Sequence, residues 1–248
     1  MTPMLLKASA AKKLKNPVRL KDKIALVTGA SRGIGAAVAK HLAREGAHLI
    51  LTARTVGGLE ETDDAIRALG GSATLVPLDL RQADMIDALG GQIYERFGKL
   101  DILIGNAATL GSLSPVAHAS PSEFDDVFAI NLTANYRLLR SLDPLLRKAD
   151  AGRVVMVTSG AAVAPIAYWG PYAASKAALE HLALTYAAEV ASTNIRVNLI
   201  DPGAVATKMR AKAFPAEDPS TLPTPESITE WFVRLCEAGA PNGQRVTV

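Results

Sequence analysis

The 248-residue chain has a single cysteine, Cys236, and four scattered histidines. One cysteine excludes an intramolecular disulfide and fits a reducing compartment, so we expect a cytoplasmic protein. No group of histidine, cysteine and carboxylate residues has the spacing of metal ligands, and we expect no metal site. No apolar run reaches the roughly 18 residues that span a bilayer, which argues against membrane insertion.

Acidic residues are missing from the first 20 positions, which carry five of the basic side chains. The whole chain has 27 basic and 24 acidic residues, so the remainder has 22 against 24, a net charge of −2. The body of the chain is therefore not a basic surface for nucleic acid. We interpret residues 1–20 as a flexible basic extension and residues 21–248 as a single folded domain.

Short aliphatic runs alternate with longer amphipathic or alanine-rich stretches along the chain. This alternation is typical of a parallel sheet with helices on both faces, so we predict an α/β, doubly wound, seven-stranded parallel sheet. The predicted strands are Ile24–Thr28, Leu49–Ala53, Thr74–Leu78, Ile102–Asn106, Val154–Thr158, Val197–Ile200 and Arg245–Val248. The predicted helices are Ile34–Glu45, Gly58–Leu69, Ala83–Phe97, Pro121–Arg147 and Tyr172–Ala191.

Proline is expected to interrupt this pattern at two places. Pro144 lies late in the fourth predicted helix and should kink or end it. The segment Ala213–Pro225 contains four prolines and should be irregular, forming a lobe near the mouth of the site.

The first predicted strand runs into a glycine-rich turn and then a helix, the context that a phosphate-binding loop requires. Gly29 allows the tight turn, Gly33 leaves room for phosphate, and Gly35 lets the helix pack close to the sheet. The helix N-terminus then faces the anion with its free N–H groups. The predicted phosphate-loop residues are Gly29, Ser31, Arg32, Gly33, Ile34 and Gly35.

An acidic residue is missing from the end of the second predicted strand, where NAD-binding proteins place one on the ribose 2′-hydroxyl. Ala53 and Arg54 stand there instead. Arg54, together with Arg32, can donate charge-assisted hydrogen bonds to a 2′-phosphate. We therefore expect NADP(H) to be preferred over NAD(H), although two solvated surface arginines are the plain alternative.

Tyr172 and Lys176 are four residues apart on a predicted helix, so their side chains share one face. A cation about 4 Å from a phenol, at an effective dielectric of about 20, favours the phenolate by roughly 4 kcal/mol. That attraction could lower the tyrosine pKa by up to about 3 pH units, towards neutrality. Ser159 follows a buried predicted strand and would lie at the same carboxyl edge.

Asn131 is polar among apolar neighbours in the fourth predicted helix, and its amide could orient water or the Lys176 ammonium. Each candidate catalytic residue, taken alone, could have a purely structural role. In this order, after a phosphate loop, they point to a catalytic set of Asn131, Ser159, Tyr172 and Lys176.

At residues 21–248 the chain resembles the short-chain dehydrogenase/reductase family, and its 209–225 segment is similar to a bacterial subgroup known only as oxidoreductases. The matching motifs are Thr28-Gly29-x-x-x-Gly33-x-Gly35, Asp79-Leu80, Asn106-Ala107, Asn131, Ser159, Tyr172-x-x-x-Lys176 and Pro202-Gly203-x-Val205-x-Thr207. The resemblance implies a Rossmann fold and hydride transfer between nicotinamide and a carbonyl or alcohol substrate. It departs at Ala108, where the family has glycine, and Ala108 would be strained only at a positive φ.

The resemblance also implies a role for each matching residue. Tyr172 would protonate the carbonyl oxygen, Ser159 would position it, and Lys176 would hold the nicotinamide ribose and lower the tyrosine pKa. Asn131 would keep a water beside Lys176. Asp79 would bind the adenine amino group and Asn106 the adenosine ribose. The remaining implied cofactor contacts are Leu80, Ala107, Pro202, Gly203, Val205 and Thr207.

The substrate is expected to be a neutral or apolar small molecule, in a pocket drawn from Leu110–Pro115, Ala161–Trp169 and Val205–Pro215. A catalytically weak dinucleotide-binding sensor or interaction protein on the same fold is the alternative. The family resemblance and the alanine-rich helices favour a homodimer or homotetramer.

Overall fold

Seven strands form one parallel sheet in the computed structural model, which describes residues 18–248. The strands are β1 (Ile24–Thr28), β2 (His48–Ala53), β3 (Ser72–Pro77), β4 (Ile102–Gly105), β5 (Arg153–Val157), β6 (Arg196–Asp201) and β7 (Arg245–Thr247). The spatial order is β3-β2-β1-β4-β5-β6-β7, so the chain reverses its winding direction between β1 and β4. This confirms the predicted doubly wound sheet and leaves a crevice at the carboxyl ends of β1 and β4.

Helices cover both faces of the sheet. Successive strand residues point to opposite faces: in β1, Ala25 and Val27 join one apolar core and Leu26 joins the other. The helices are α1 (Gly33–Arg44), α2 (Val56–Ala68), α3 (Ala83–Phe97), α4 (Pro121–Phe128), α5 (Ala134–Lys148), α6 (Gly170–Glu189), α7 (Lys208–Ala213) and α8 (Thr229–Cys236). The first core packs under α1, α2 and α8, and the second under α3, α5 and α6.

The predicted fourth helix is divided by a π-helical turn, Ala129–Thr133, which separates α4 from α5. Of the two outcomes predicted for Pro144, a kink or an end of the helix, the end is not found, because α5 continues to Lys148. Pro144 removes the N–H that would bind the carbonyl of Arg140. Both residues are exposed, so water can satisfy that carbonyl, while buried Leu142 and Leu145 keep the helix on the sheet.

The folded domain begins earlier than residue 21. Leu20 is 1% exposed and belongs to the first apolar core. The Arg19 guanidinium forms ion pairs with Glu45 at 2.7 Å, Glu230 at 2.8 Å and Glu237 at 3.1 Å. Residues 18–20, which the sequence assigns to the extension, therefore pack against the domain, whereas the rest of the predicted extension lies outside the described residues.

The segment after β6 carries two helices that the sequence analysis does not predict, α7 and α8. Ala213 still belongs to α7, and Pro225 begins the 3₁₀ turn Pro225–Ile228. The rest of the predicted irregular segment has only the 3₁₀ turn Pro219–Thr221, in line with its prolines. We call residues 208–225 the flap. In the described part of the chain, no helix is long and apolar enough to cross a membrane.

Candidate active site

A cleft of about 720 Å³ opens along the carboxyl edge of the sheet. It begins at the turn after β1, passes the ends of β2, β3 and β4, and finishes between α6 and the flap. Of the predicted site residues, all line this cleft except Gly35 and Asn131, both of which are buried beside it. The sheet edge therefore brings together residues that are up to 178 positions apart, from Gly29 to Thr207.

The glycine-rich turn after β1 is tight, and we call it the cradle. Gly29 has a φ of +65°, which a residue with a side chain rarely adopts. At Gly35 a Cβ atom would overlap the Gly29 carbonyl oxygen and lie 2.5 Å from the Asn106 amide nitrogen. At the start of α1, no side chain caps the N–H groups and no acid stands in the first turn. Free N–H groups at a helix N-terminus suit a phosphate.

Asn106 fixes the cradle from the neighbouring strand. Its side-chain amide donates to the carbonyls of Thr28 at 2.8 Å and Gly29 at 3.3 Å. The backbone N–H groups of Asn106 and Ala107 both donate to the Thr28 hydroxyl at 3.0 Å. Ala108, where the family has glycine, is not strained, because its φ is not positive.

At the end of the cleft formed by the residues after β2 and β3, the Asp79 carboxylate is already paired with Arg81. The Arg81 Nε lies 3.1 Å from Oδ1 and Nη2 lies 2.5 Å from Oδ2, and this pairing lowers the pKa of Asp79. Arg32 and Arg54 line the same end and are exposed. Neither arginine forms an ion pair with another residue of the described part of the chain, 18–248.

Lys176 is 1% exposed, and its ammonium donates to the Val157 carbonyl at 2.8 Å. Burial lowers the pKa of Lys176 to about 8, against the opposing attraction of Glu180. The Nζ atom lies 5.9 Å from the centre of the Tyr172 ring. The lysine therefore lies beside the tyrosine, as the i, i+4 spacing predicts, but it is held by the end of β5.

The expected lowering of the Tyr172 pKa is not found. Burial raises the pKa of Tyr172, and the Asp201 carboxylate adds to the rise. The Ser159 hydroxyl is close enough to oppose it in part. The i, i+4 spacing predicts a full cation about 4 Å from the phenol, but burial of the phenol has the larger effect on its pKa.

Ser159 follows β5 and begins the 3₁₀ turn Gly160–Ala162. Its hydroxyl accepts a hydrogen bond from the Ala161 N–H at 3.2 Å, which orients the side chain. Ala161 in turn packs with Tyr172 and Leu110 in a small apolar cluster beside the cleft.

Asn131 lies in the π-helical turn and is fully buried. Its amide makes a two-way contact with Thr109, accepting from the N–H at 2.8 Å and donating to the carbonyl at 3.0 Å. It also donates to the Ser175 hydroxyl at 2.9 Å, which in turn donates to the Tyr172 carbonyl at 2.7 Å. The amide thus ties the loop after β4 to α6. It does not contact the Lys176 ammonium, and its role in orienting a water stays a prediction.

The flap closes the far end of the cleft. The Trp169 ring lies edge-on to Tyr172 and tilted against Phe214, with ring centres 5.7 Å apart in both pairs. Lys212 reaches across and donates to the Gly111 carbonyl at 2.8 Å. Within the predicted stretch Ala161–Trp169, only Trp169 lines the cleft, because that loop turns outward and leaves Val163 and Ile166 exposed.

A glycine cradle at the switch point of a doubly wound parallel sheet defines a Rossmann-type dinucleotide-binding protein. The chain matches the family model for short chain dehydrogenases over residues 23–218. It is 38% identical over 219 residues to the uncharacterized oxidoreductase YciK of Escherichia coli strain K12, covering 87% of this chain and 86% of that protein.

Two solved structures resemble it closely. A short chain dehydrogenase of Shigella flexneri 2a strain 301 in complex with NADP has a TM-score of 0.90 and 36% identity, covering 94% of this chain and 99% of that one. A short chain dehydrogenase of Escherichia coli CFT073 in complex with NADPH has a TM-score of 0.88 and 35% identity, with the same coverage. This protein belongs to the short-chain dehydrogenase/reductase family and is an oxidoreductase.

Proposed function

We propose that this oxidoreductase transfers a hydride between NADP(H) and a carbonyl or secondary alcohol of a neutral or apolar small molecule, with Tyr172 as the acid/base. One observation carries the proposal: Ser159, Tyr172 and Lys176 line the same cleft as the cradle from Gly29 to Ile34. A dinucleotide anchored by its phosphates in the cradle would extend along the cleft towards these three side chains.

The residues of the chain suit such a dinucleotide. The cradle would hold the pyrophosphate, Asn106 and Asp79 the adenosine, and Lys176 the nicotinamide ribose, with Pro202, Gly203, Val205 and Thr207 along its other side. Because Arg81 already occupies Asp79, the adenine amino group would share that carboxylate. When bound, the nicotinamide supplies or accepts the hydride, and the protein supplies placement and electrostatics.

Each catalytic side chain then has a defined task. The Ser159 hydroxyl holds the substrate oxygen beside the phenol of Tyr172. In reduction, Tyr172 gives its proton to that oxygen, and in oxidation it takes the proton back. Asn131 keeps α6 in place through Ser175, so that Tyr172 and Lys176 stay aligned.

The preference for NADP(H) depends on two exposed cations at the adenosine end, Arg32 and Arg54. A hydrogen bond to a charged group contributes about 1.5–3 kcal/mol, so Arg54→Ala should weaken NADPH binding by about tenfold or more. Binding of NADH, which lacks the 2′-phosphate, should change little. Fluorescence titration with both cofactors measures this.

The matched control for that prediction is Arg44→Ala, because Arg44 is exposed at the end of α1 and does not line the cleft. It should bind both cofactors as the unmodified protein does. A clear advantage for NADH in the unmodified protein, or equal weakening of both cofactors by Arg54→Ala, would contradict the preference.

The substrate end of the cleft is apolar. Leu110, Trp169, Met209 and Ala213 surround the Tyr172 ring. The flap contributes three cations to the cleft, Lys208, Arg210 and Lys212. Arg210 is paired with Glu217 at 2.6 Å, and the Lys212 ammonium is held by the Gly111 carbonyl. Because the side chains packed around the Tyr172 ring are apolar, we expect a neutral substrate to be preferred over a carboxylate.

A panel of ketones and aldehydes, assayed with NADPH and with binding measured in parallel, tests the function. We expect kcat/KM to rise with apolar size and to be lower for carboxylated analogues of the same size. Tight NADPH binding with no turnover on any substrate would favour the sensor alternative, and a preference for the carboxylates would refute the apolar site.

A further inference from the structure

Arg245, on the last strand, contacts three segments that carry residues of the proposed site. Its Nε donates to Glu180 Oε1 at 2.9 Å, and its Nη2 donates to Asp201 Oδ2 at 3.0 Å and to the Ser159 carbonyl at 3.2 Å. Its Nη1 donates to the Thr247 hydroxyl at 2.9 Å. The side chain is 24% exposed, so these contacts are largely shielded from water.

The two carboxylates that Arg245 binds hold further parts of the site. Glu180 is buried on α6, one turn after Lys176, and accepts a hydrogen bond from the Thr158 hydroxyl at 2.6 Å. Asp201 is buried at the end of β6, lines the cleft, and accepts from the Gly203 N–H at 3.1 Å. One guanidinium thus joins the turn after β5, helix α6 and the loop after β6.

The position of the Arg245 guanidinium follows from the register of β7 on β6. β7 pairs with β6 so that Arg245 is opposite Leu199 and Thr247 is opposite Asp201. The arginine therefore starts two residues before the carboxyl edge, and its long side chain ends at that edge, behind Ser159. A shorter or unbranched side chain at this position would not reach three acceptors at once.

The charges around the catalytic pair are balanced by this arginine. Lys176 and Glu180 come from α6, Asp201 from β6 and Arg245 from β7, while the flap adds Lys208, Arg210 and Lys212 along the same cleft. Glu180 raises the pKa of Lys176, and Asp201 raises the pKa of Tyr172. Without Arg245 both carboxylates would lose their nearest cation and act more strongly on the catalytic pair.

We infer that Arg245 is a positioning residue for the proposed reaction: it fixes the backbone of Ser159 and neutralises Glu180 and Asp201 beside Lys176 and Tyr172. The kinetic part of this inference rests on the proposed function, and the titration below does not. Arg245 touches neither the substrate region nor the cradle, so its effect passes through the residues that it holds.

The titration uses protein labelled with ¹³C at the lysine Cε, with the Lys176 signal assigned by Lys176→Arg. In Arg245→Met the pKa of Lys176 should rise above about 8, by roughly one pH unit, because nearby unpaired carboxylates shift a cation by that order. Glu180→Gln in the same background should reverse the rise. Arg245→Lys, which keeps the charge, should stay near the unmodified value.

Kinetics provide the second measurement. In Arg245→Met, the kcat for alcohol oxidation should fall by about tenfold or more, and its pH profile should move to higher pH, with NADPH affinity changed little. The control is Arg234→Met, an exposed arginine paired with Glu230 on α8. It should leave the titration and the pH profile unchanged.

Two outcomes separate the inference from the proposed function. If the unmodified protein turns over no substrate, the proposed function fails, and the Lys176 titration still decides the role of Arg245. If Arg245→Met folds but shifts neither the Lys176 titration nor the pH profile beyond Arg234→Met, the arginine is only structural and the inference is overturned.

Discussion

Replacing Tyr172 by phenylalanine is expected to abolish turnover while leaving most of the NADPH affinity. The substitution removes only the phenolic oxygen and keeps the ring that packs with Leu110 and Ala161. A positioned general acid contributes about 10²–10⁴-fold to a rate, so kcat should fall by about 100-fold or more. Steady-state kinetics and fluorescence titration with NADPH, done on the same preparation, measure the two effects.

The matched control is Tyr94→Phe, the same chemical change at an exposed tyrosine of α3 outside the cleft. It should retain both activity and affinity. Turnover by Tyr172→Phe at the unmodified rate would exclude the phenol as the acid/base. An equal loss of NADPH affinity would instead mean that the hydroxyl serves binding, because an effect confined to the transition state lowers kcat alone.

The strands of this fold can be predicted from sequence, because in a parallel sheet covered on both faces each strand is a continuous apolar run. The structure moves the strand ends by one or two residues, as at β3, which is Ser72–Pro77 and not Thr74–Leu78. Helix α8 had a usable signal, since Phe232, Val233 and Cys236 recur at helical spacing and are buried. It is not predicted, because it follows a proline-rich segment, where the sequence favours irregular structure.

The position of the candidate site can also be predicted from sequence, because the carboxyl ends of parallel strands meet at one edge of the sheet whatever their separation in sequence. Thus Ser159 after β5 and Pro202 after β6 line one cleft. The pKa shifts of the site residues cannot be predicted in this way. The spacing of Tyr172 and Lys176 gives their common face but neither the burial of the phenol nor the Val157 carbonyl that holds the ammonium.

Arg245 shows why part of a site escapes a single sequence. It lies 65 residues after Glu180 and 44 after Asp201, and an isolated arginine in a short strand has no motif. Its contacts exist because β7 adds to the edge of β6 in one register. Register depends on the tertiary arrangement, so no local pattern predicts which side chain reaches the carboxyl edge.

The second large effect is expected from the smallest substitution, Gly35→Ala. Intrinsic helix propensity favours alanine over glycine by about 1 kcal/mol, and on that ground the change in α1 should stabilise the protein. The added Cβ would instead overlap the Gly29 carbonyl oxygen, which is backbone and cannot rotate away. Overpacking of this kind costs typically 1–3 kcal/mol, so the free energy of unfolding should fall.

The loss should extend to cofactor binding, because the displaced atom belongs to the cradle proposed to hold the pyrophosphate. We expect the Kd for NADPH to rise by more than about tenfold, equivalent to about 1.4 kcal/mol. Denaturant unfolding gives the stability change, and titration of the folded protein gives the affinity.

Gly91→Ala provides the comparison that isolates packing from propensity. Gly91 is also inside a helix, α3, but it is exposed and an added Cβ would meet no atom within 4 Å. It should gain about 0.4–1 kcal/mol of stability and bind NADPH unchanged. The same substitution in two helices should therefore change the free energy of unfolding in opposite directions. If Gly35→Ala were stabilising as well, the turn after β1 would have room to spare, and the close fit between α1 and the cradle, on which the proposed dinucleotide site depends, would not exist.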